Sequence, residues 1–457
     1  MRTLLVANRG EIAVRILRAA RELGLRTVAV CSEADVDALH VRMADEHRVI
    51  GPPSATRSYL DEGAVLAAAA ESGADAVHPG YGFLSERASF AQRVVDAGLA
   101  FVGPSPEAIR LMGDKVLARQ TAAEAGVPTV PGSDGPVPDV HAALAVAERT
   151  GYPVAIKAAA GGGGRGIRMV ESAEVLREAL PRVQGEAQSA FGNAEVYLER
   201  YVPAARHVEV QVFGDGERFV HLGERECSLQ RRRQKVVEEA GAPDLPAEVR
   251  ERMTRSAVAL AAEVGYHGAG TVEFLYDPQR TEFYFIEMNT RIQVEHPVTE
   301  LITRRDLVRE QLTVAAGEPL SFTQEEIRPE GHALEFRLTA EDPDLGFFPS
   351  PGTLTRLNLP AGPFVRVDSG LVQGGEVPPF YDSLLAKVVV WGDTRETALA
   401  RGRRALDEVE VEGVATTAPF LRRLADHPGF VAGQYHTTSL EEWMTDGSED
   451  GLVRRSA

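Results

Sequence analysis

Short apolar runs alternate with helix-period segments through the first hundred residues, and this rhythm constrains the fold more than any other feature of the chain. Leu4–Ala7 reads as a strand, Ile12–Leu23 as a helix, Thr27–Val30 as a strand, and Ala74–His78 and Ala100–Val102 as further strands with a helical segment between them. Such a βαβ succession predicts a parallel sheet with helices on both faces. After Gly103-Pro104-Ser105-Pro106 a charged helical stretch carries Lys115, and Pro and Gly then crowd V-P-T-V-P-G-S-D-G-P-V-P, so a linker is expected over 104–131. A small α+β unit is expected over 132–202 and a larger one from 203 to about 446, with strands at His207–Phe213 and Phe283–Met288. Residues 447–457 read as a frayed tail.

The chain's 457 residues exceed what one ordinary core organises, which predicts two to four domains. A formal charge of −18 argues against nucleic acid or an anionic membrane as the main partner. Cys31 and Cys227 lie far apart, a usage typical of a reduced compartment. With no signal peptide and no run of membrane-spanning length, a cytoplasmic protein is expected.

Glu287, Asn289, Arg291, Gln293 and Glu295 alternate with Met288, Thr290, Ile292 and Val294 in E-M-N-T-R-I-Q-V-E. One extended strand, ended by His296-Pro297, would set two carboxylates, two amides and a guanidinium in a single row. The carboxylate and amide oxygens suit a hard cation such as Mg²⁺, and the guanidinium suits a small oxyanion. A solvated strand edge also alternates, but it favours Lys, Glu and Thr over such varied chemistry. Glu273, inside the apolar T-V-E-F-L, needs a partner; a metal shared with Glu287 and Asn289 and a structural salt bridge fit equally well. Gln230-Arg231-Arg232-Arg233-Gln234-Lys235 is a basic cluster, for which a solvated face is the commoner explanation. His207, Glu209 and Gln211 share one face of H-V-E-V-Q-V. Cys227 has no His or Asp neighbourhood in sequence that would make it a nucleophile.

Gly161-Gly162-Gly163-Gly164-Arg165-Gly166 matches the dinucleotide pattern G-x-G-x-x-G literally, but Ile167–Val170 continues as a strand where the fingerprint requires a helix. A hairpin tip is expected instead. Consecutive glycines can offer backbone N–H groups to phosphate oxygens and can flex, as a lid over a nucleotide would, and a mobile surface hairpin is the plainer alternative. Lys157 just upstream would add a point charge.

In order along the chain, A-N-R-G-E-I-A-V-R, H-P-G-Y-G-F-L-S-E, R-L-M-G-D-K, G-G-G-G-R-G, R-H-V-E-V-Q, Q-K-V-V-E-E, F-I-E-M-N-T-R-I-Q-V-E-H-P-V-T-E, G-H-A-L-E-F-R and F-P-S-P-G closely resemble the biotin carboxylases of the ATP-grasp superfamily. The resemblance implies an α/β and α+β multidomain protein: a Rossmann-like N-terminal domain (1–103), an ATP-grasp region with a mobile lid (132–202) and core (203–330), and a C-terminal domain (331–446). Implied for ATP are Lys115, Lys157, Gly163, Gly164, Glu199, Arg200, Tyr201, Val202, His207, Gln230, Arg233 and Leu275. Glu273, Glu287 and Asn289 would bind Mg²⁺ or Mn²⁺. Lys235, Arg291, Gln293 and the backbone of Val294 would surround bicarbonate, Glu295 would be its base, and Arg337 would stabilise carboxyphosphate and the biotin enolate. Arg200 departs from the family's usual lysine, Ala160 from a glycine, and Arg233 from a histidine near the ribose.

The activity so implied is ATP- and bicarbonate-dependent carboxylation of biotin through carboxyphosphate, the first half-reaction of an acetyl-CoA or other acyl-CoA carboxylase. No A-M-K-M-type biotinylation sequence is present, so a separate biotin carboxyl carrier protein and a separate carboxyltransferase are expected partners, and a homodimer is expected from the family. Two other readings compete: a different ATP-grasp ligase that forms an acyl-phosphate, and a silent nucleotide-sensing subunit.

Overall fold

The computed structural model describes residues 1–133, 135–158, 167–191, 193–445 and 452–453. Its contacts group the chain into two units, one of Met1–Val127, Arg206–Leu275 and Ile286–Ala457, the other of Pro128–Ala205 with Tyr276–Phe285. In the first, β1 (Thr3–Val6), β2 (Arg26–Cys31), β4 (Ala76–His78) and β5 (Ala100–Phe101) form the expected parallel sheet, and β3 (Glu46–Val49), which was not expected, adds an edge strand in the order β3-β2-β1-β4-β5. The helix α1 (Gly10–Glu22) buries Ile12, Ala13, Ile16, Leu17 and Ala20, which its 3.6-residue period places on one stripe. Asp61 caps α2 (Glu62–Ser72) by accepting from Ala64 N, and α3 (Ala88–Asp96) precedes β5. The strand order reverses between β1 and β4, which opens a crevice beyond their carboxyl ends. Asn8 ties the two loops there, donating through Nδ2 to the carbonyls of Pro79 and Tyr81 at 2.7 Å each.

Two helices occupy much of the stretch expected to link domains: α4 (Pro106–Gly113), capped by Ser105, and α5 (Lys115–Glu124), capped by Asp114. In the second unit, α6 (Val140–Thr150), β6 (Val154–Ala158), β7 (Ile167–Val170), α7 (Ala173–Phe191) and β8 (Val196–Arg200) follow one another. Their antiparallel sheet, β7-β6-β8, packs on α6 and α7 through Ala143, Ala147, Ile156, Leu176, Leu180 and Leu198. The register pairs Lys157 with Ile167. Ile167–Val170, which follows the glycine run, is a strand where the dinucleotide motif requires a helix; the hairpin tip expected at 161–166 lies outside the described residues. Gly163 and Gly164 themselves lie outside the described residues.

The largest sheet and the helices beside it are built from β9 (Arg206–Asp215), β10 (Phe219–Arg231), β11 (Gln234–Ala240), α8 (Ala247–Glu263), β12 (His267–Asp277), β13 (Glu282–Asn289), α9 (His296–Thr303), α10 (Leu307–Ala315), β14 (His332–Thr339), β15 (Val365–Ser369), β16 (Leu384–Gly392), α11 (Arg395–Asp407) and α12 (Ala418–Leu424). Their sheet runs β13-β12-β9-β10-β11-β14-β16-β15. Because side chains alternate across a strand, β11, β14 and β16 send Val237, Leu334, Phe336, Val388 and Val390 into an apolar core with α11 and α12. The opposite face receives Glu238, Glu335, Arg337 and Lys387, all on paired positions. In the segment expected to fray, Leu452 is instead buried in that core, and its carbonyl accepts from Arg423 Nε and Nη2 at 3.0 and 2.7 Å. Among the described residues no helix is long and apolar enough to cross a membrane.

Candidate active site

The expected single strand through Glu295 does not form. β13 ends at Asn289, Thr290–Val294 turn, and His296-Pro297 begin α9 instead of ending a strand. A strand rises about 3.3 Å per residue, so an extended Glu287–Glu295 would span roughly 26 Å and its ends could not share one partner. Arg291 holds the turn: Nη2 donates to Asn289 Oδ1 at 2.9 Å, Nη1 to Gln293 Oε1 at 3.2 Å, and Nε to Glu86 Oε2 at 2.9 Å. Asn289 and Gln293 both reach Glu273, and Arg291 bonds both of them, contacts that a straight row could not make.

Lys235 ties Glu295 to the neighbouring carboxylates. Its ammonium donates to Glu209 at 2.6 Å, Glu273 at 3.3 Å and Glu295 at 2.5 Å. The other oxygen of Glu295 accepts from Arg337 Nη2 at 3.0 Å, and Arg337 also pairs with Glu238. Burial alone would raise the pKa of Glu295, but Lys235, Arg337 and Arg225 outweigh it and hold the carboxyl well below the usual range. Burial would likewise lower Lys235, and the surrounding anionic groups raise it well above its ordinary value. The result is an ionised carboxylate, 0 % exposed, fixed between two permanent cations.

Behind it, Arg225 is fully buried and fully engaged: Nε donates to Glu209 at 2.6 Å, Nη1 to Gln211 at 2.7 Å and Thr299 at 3.0 Å, and Nη2 to Thr271 at 3.0 Å. His207 Nε2 lies 3.0 Å from Glu273 Oε2, and Gln230 Nε2 lies 2.7 Å from His207 Nδ1. Asn289 Nδ2 and Gln293 Nε2 donate to Glu273 Oε1 at 2.8 and 3.0 Å. The Glu287 carboxyl is pushed up, first by burial and next by Glu273. Two carboxyls that repel in a half-closed place, beside an amide oxygen, are a donor set a hard divalent cation would relieve. Two tighter groups, His207-Glu209-Glu273 and Glu209-Cys227-Glu295, also lie within ligand distance of one another. Their cation position is taken by the Lys235 ammonium. The Cys227 thiol, buried and pushed well up, stays neutral, which agrees with its reading as a non-nucleophile.

The basic cluster divides. Lys235 enters the site, Arg231 lies 4.0 Å over the Phe347 ring and 3.6 Å from Glu341, and Arg232 and Arg233 form the exposed β10–β11 turn with φ of 48° and 68°. One solvated face is therefore the wrong description. Lys115 is exposed at the first position of α5, and Leu275 shares a face of β12 with Glu273. In the second unit Lys157 pairs with Glu199, Tyr201 N donates to Pro153 O at 2.9 Å, and Val202 is buried. There Arg200 donates to Thr150 O at 2.9 Å, Glu282 at 3.1 Å and Tyr284 Oη at 2.8 Å.

Sequence reasoning missed Arg225, Glu86, Glu238, Glu335 and Lys387. The last donates to the Val294 carbonyl at 2.9 Å and lies 3.1 Å from Glu11. The available signal was a lone charge inside an apolar run, as in L-L-A-K-V-V-V and H-A-L-E-F.

Three family profiles match consecutive stretches: "Biotin carboxylase, N-terminal domain" at 1–109, "Carbamoyl-phosphate synthase L chain, ATP binding domain" at 114–323, and "Biotin carboxylase C-terminal domain" at 335–442. Biotin carboxylase 1 of Bacillus subtilis is 52% identical over 98% of this chain and 100% of its own length. A Campylobacter jejuni biotin carboxylase, solved as a β-γ-ATP complex, is 45% identical with a TM-score of 0.88 over 96% of this chain and 98% of that one. The biotin carboxylase domain dimer of Hydrogenobacter thermophilus 2-oxoglutarate carboxylase, solved with MgADP, ADP and bicarbonate, is 48% identical with a TM-score of 0.86 over 96% and 97%.

Proposed function

We propose, for a chain that belongs to the biotin carboxylase family and is an ATP-dependent enzyme carboxylating biotin with bicarbonate, a division of labour built around Glu295. The observation that carries it is the Glu295 carboxylate, buried and ionised, bridging Lys235 and Arg337. Lys235, Arg291, Gln293 and the Val294 backbone hold bicarbonate, and Glu295 takes its proton. A carboxylate fixed against Lys235 is ionised at working pH and within reach of an anion that the same lysine attracts. The bicarbonate oxygen then attacks the γ-phosphoryl of ATP to give carboxyphosphate and ADP.

Glu273, Glu287 and Asn289 would hold Mg²⁺ or Mn²⁺, which supplies charge neutralisation for phosphoryl transfer. Lys115, His207, Gln230 and Leu275 are assigned to the nucleotide in the first unit, and Lys157 with Glu199–Val202 in the second. The exposed Arg233 keeps its ribose assignment as part of the same proposal. Carboxyphosphate breaks down to CO₂ and phosphate, the phosphate takes the ureido proton of biotin, and Arg337 stabilises the enolate beside CO₂. The complete charged set also disfavours a silent sensor.

The family works with a biotin carrier protein and a carboxyltransferase. For this chain we assign a biotin carrier protein and a carboxyltransferase as partners, in line with its likeness to B. subtilis biotin carboxylase 1. We also assign a homodimer, as in the H. thermophilus structure, and a cytoplasmic location in keeping with two buried free cysteines. The test of the bicarbonate assignment is phosphate release by Lys235→Gln across a bicarbonate titration. A rise in bicarbonate KM with a rate loss of roughly 100-fold or more is expected, and an unaltered bicarbonate dependence would overturn the assignment.

A further inference from the structure

β11 and β14 run antiparallel with Glu238 directly opposite Glu335. Both side chains are 0 % exposed; neither oxygen of Glu335 accepts a hydrogen bond, and Glu238 is met by the Arg337 guanidinium. Directly opposed residues on one sheet face have Cβ atoms about 5 Å apart, and like charges there repel. With water excluded, neither carboxylate is solvated, so the doubly ionised pair is strongly disfavoured.

The charges facing the pair do not remove this conflict. Arg337, from β14, contacts Glu238 and is shared with Glu295. Lys387, from β16, is engaged by Glu11 and the Val294 carbonyl, and Lys235, from β11, by Glu209, Glu273 and Glu295. From α9, His296 is held neutral, chiefly by burial. The other face of β14 meets α11 and α12 through the apolar Leu334 and Phe336.

We propose that Glu238 and Glu335 hold one proton between them, carried on Glu335, and that the remaining charge on Glu238 makes it the positioning residue that fixes Arg337 for the biotin step. Burial pushes both carboxyls up. The Arg337 guanidinium lies against Glu238, whereas no donor reaches either oxygen of Glu335, which is why the charge belongs on Glu238 and the proton on Glu335. The role of Glu238 rests on the assignment of Arg337 to biotin; the shared proton does not.

The test uses the full-length enzyme and has two arms. Infrared difference spectra of wild type against Glu335→Gln at neutral pH should show one protonated-carboxyl C=O stretch lost in the variant, and absence of that band from the wild type overturns the shared proton. In parallel, phosphate release and carboxybiotin are measured for Glu238→Gln and Glu335→Gln. Glu238→Gln should lose roughly 10- to 100-fold in carboxybiotin formation, as outer-layer partners of reactive groups do, and less in bicarbonate-dependent phosphate release without biotin. Glu335→Gln, which keeps a neutral group opposite Glu238, should lose far less of either. Equal losses in both products, or in both variants, overturn the positioning role. If Glu238→Gln does not fold, Glu238→Asp replaces it, with the same split expected and the same equality overturning. An Arg337→Ala enzyme with intact carboxybiotin formation would remove the assignment of Arg337 while leaving the infrared result standing.

Discussion

Glu239 and Glu238 are neighbours on β11 with opposite surroundings. Glu239 accepts from His332 Nε2 at 2.5 Å, from Arg395 Nε and Nη2 at 2.8 and 3.0 Å, and from Tyr435 Oη. Burial would raise its pKa, but the bonds from His332 and Arg395 outweigh burial and lower it from 4.5 to about 2. A group depressed in the folded state stabilises fully above its unfolded pKa and loses that contribution as pH falls through its folded one. The contribution, roughly 3 kcal/mol, should therefore be present above about pH 4.5 and disappear toward pH 2. Apparent Tm measured against pH should show that slope in the wild type and a flatter one in Glu239→Gln; parallel curves would contradict the account. At the same scale, Glu287→Gln removes one anionic donor beside Glu273. Turnover at limiting Mg²⁺ should fall by roughly two orders of magnitude, and wild-type activity there would show that Glu287 is not a ligand. Glu287 and Glu295 were recognisable in the sequence because each stood among unlike polar types, whereas Glu273, a lone acid in an apolar run, left its partner open between a metal and a salt bridge. Lys387 and Glu335 were not recognisable, since an isolated charge in an apolar strand names no partner, and its partners come from non-local strand pairing.

At the scale of elements, the parallel sheet was legible because each βαβ unit writes its own period into the sequence, whereas the course of Glu287–Glu295 was not. Alternation fits a strand as far as Asn289, and nothing local shows that Arg291 bonds back to Asn289 and forward to Gln293. Placement of α1 depends on a similar non-local contact. A Cβ on Gly370 would lie 2.4 Å from the carbonyl carbon of Gly10 and 2.7 Å from the amide of Glu11, both backbone atoms with little room to yield. Gly370→Ala should force the start of α1 and the end of β15 apart, at about 1–3 kcal/mol. Because Glu11 lies 3.1 Å from Lys387, which holds the Val294 carbonyl, the displacement should reach the bicarbonate side of the site. A lower apparent Tm together with a raised bicarbonate KM is expected in Gly370→Ala; wild-type values of both would contradict this coupling.

Over the whole molecule, the charge of −18 coexists with a core of cations at Lys235, Arg225, Arg337 and Lys387, so a net acidic protein still offers a small anion a compensated, water-poor place. For residues 159–166, which lie outside the described ones, we propose the lid role, and hydrogen exchange across them should slow when ATP is added, since glycines have the most conformational freedom to lose. Exchange that ATP leaves unaltered would count against the lid, and tight NAD binding would revive the dinucleotide reading. The central claim is that Glu295 serves the bicarbonate step and Arg337 chiefly the biotin step, and it is tested most directly by measuring phosphate release and carboxybiotin in parallel for Glu295→Gln and Arg337→Ala. Glu295→Gln should lose bicarbonate-dependent ATP cleavage by roughly two to four orders of magnitude with or without biotin, while Arg337→Ala keeps more ATP cleavage and loses carboxybiotin. Bicarbonate-dependent ATP cleavage surviving in Glu295→Gln, or equal loss of both products in Arg337→Ala, would contradict the account.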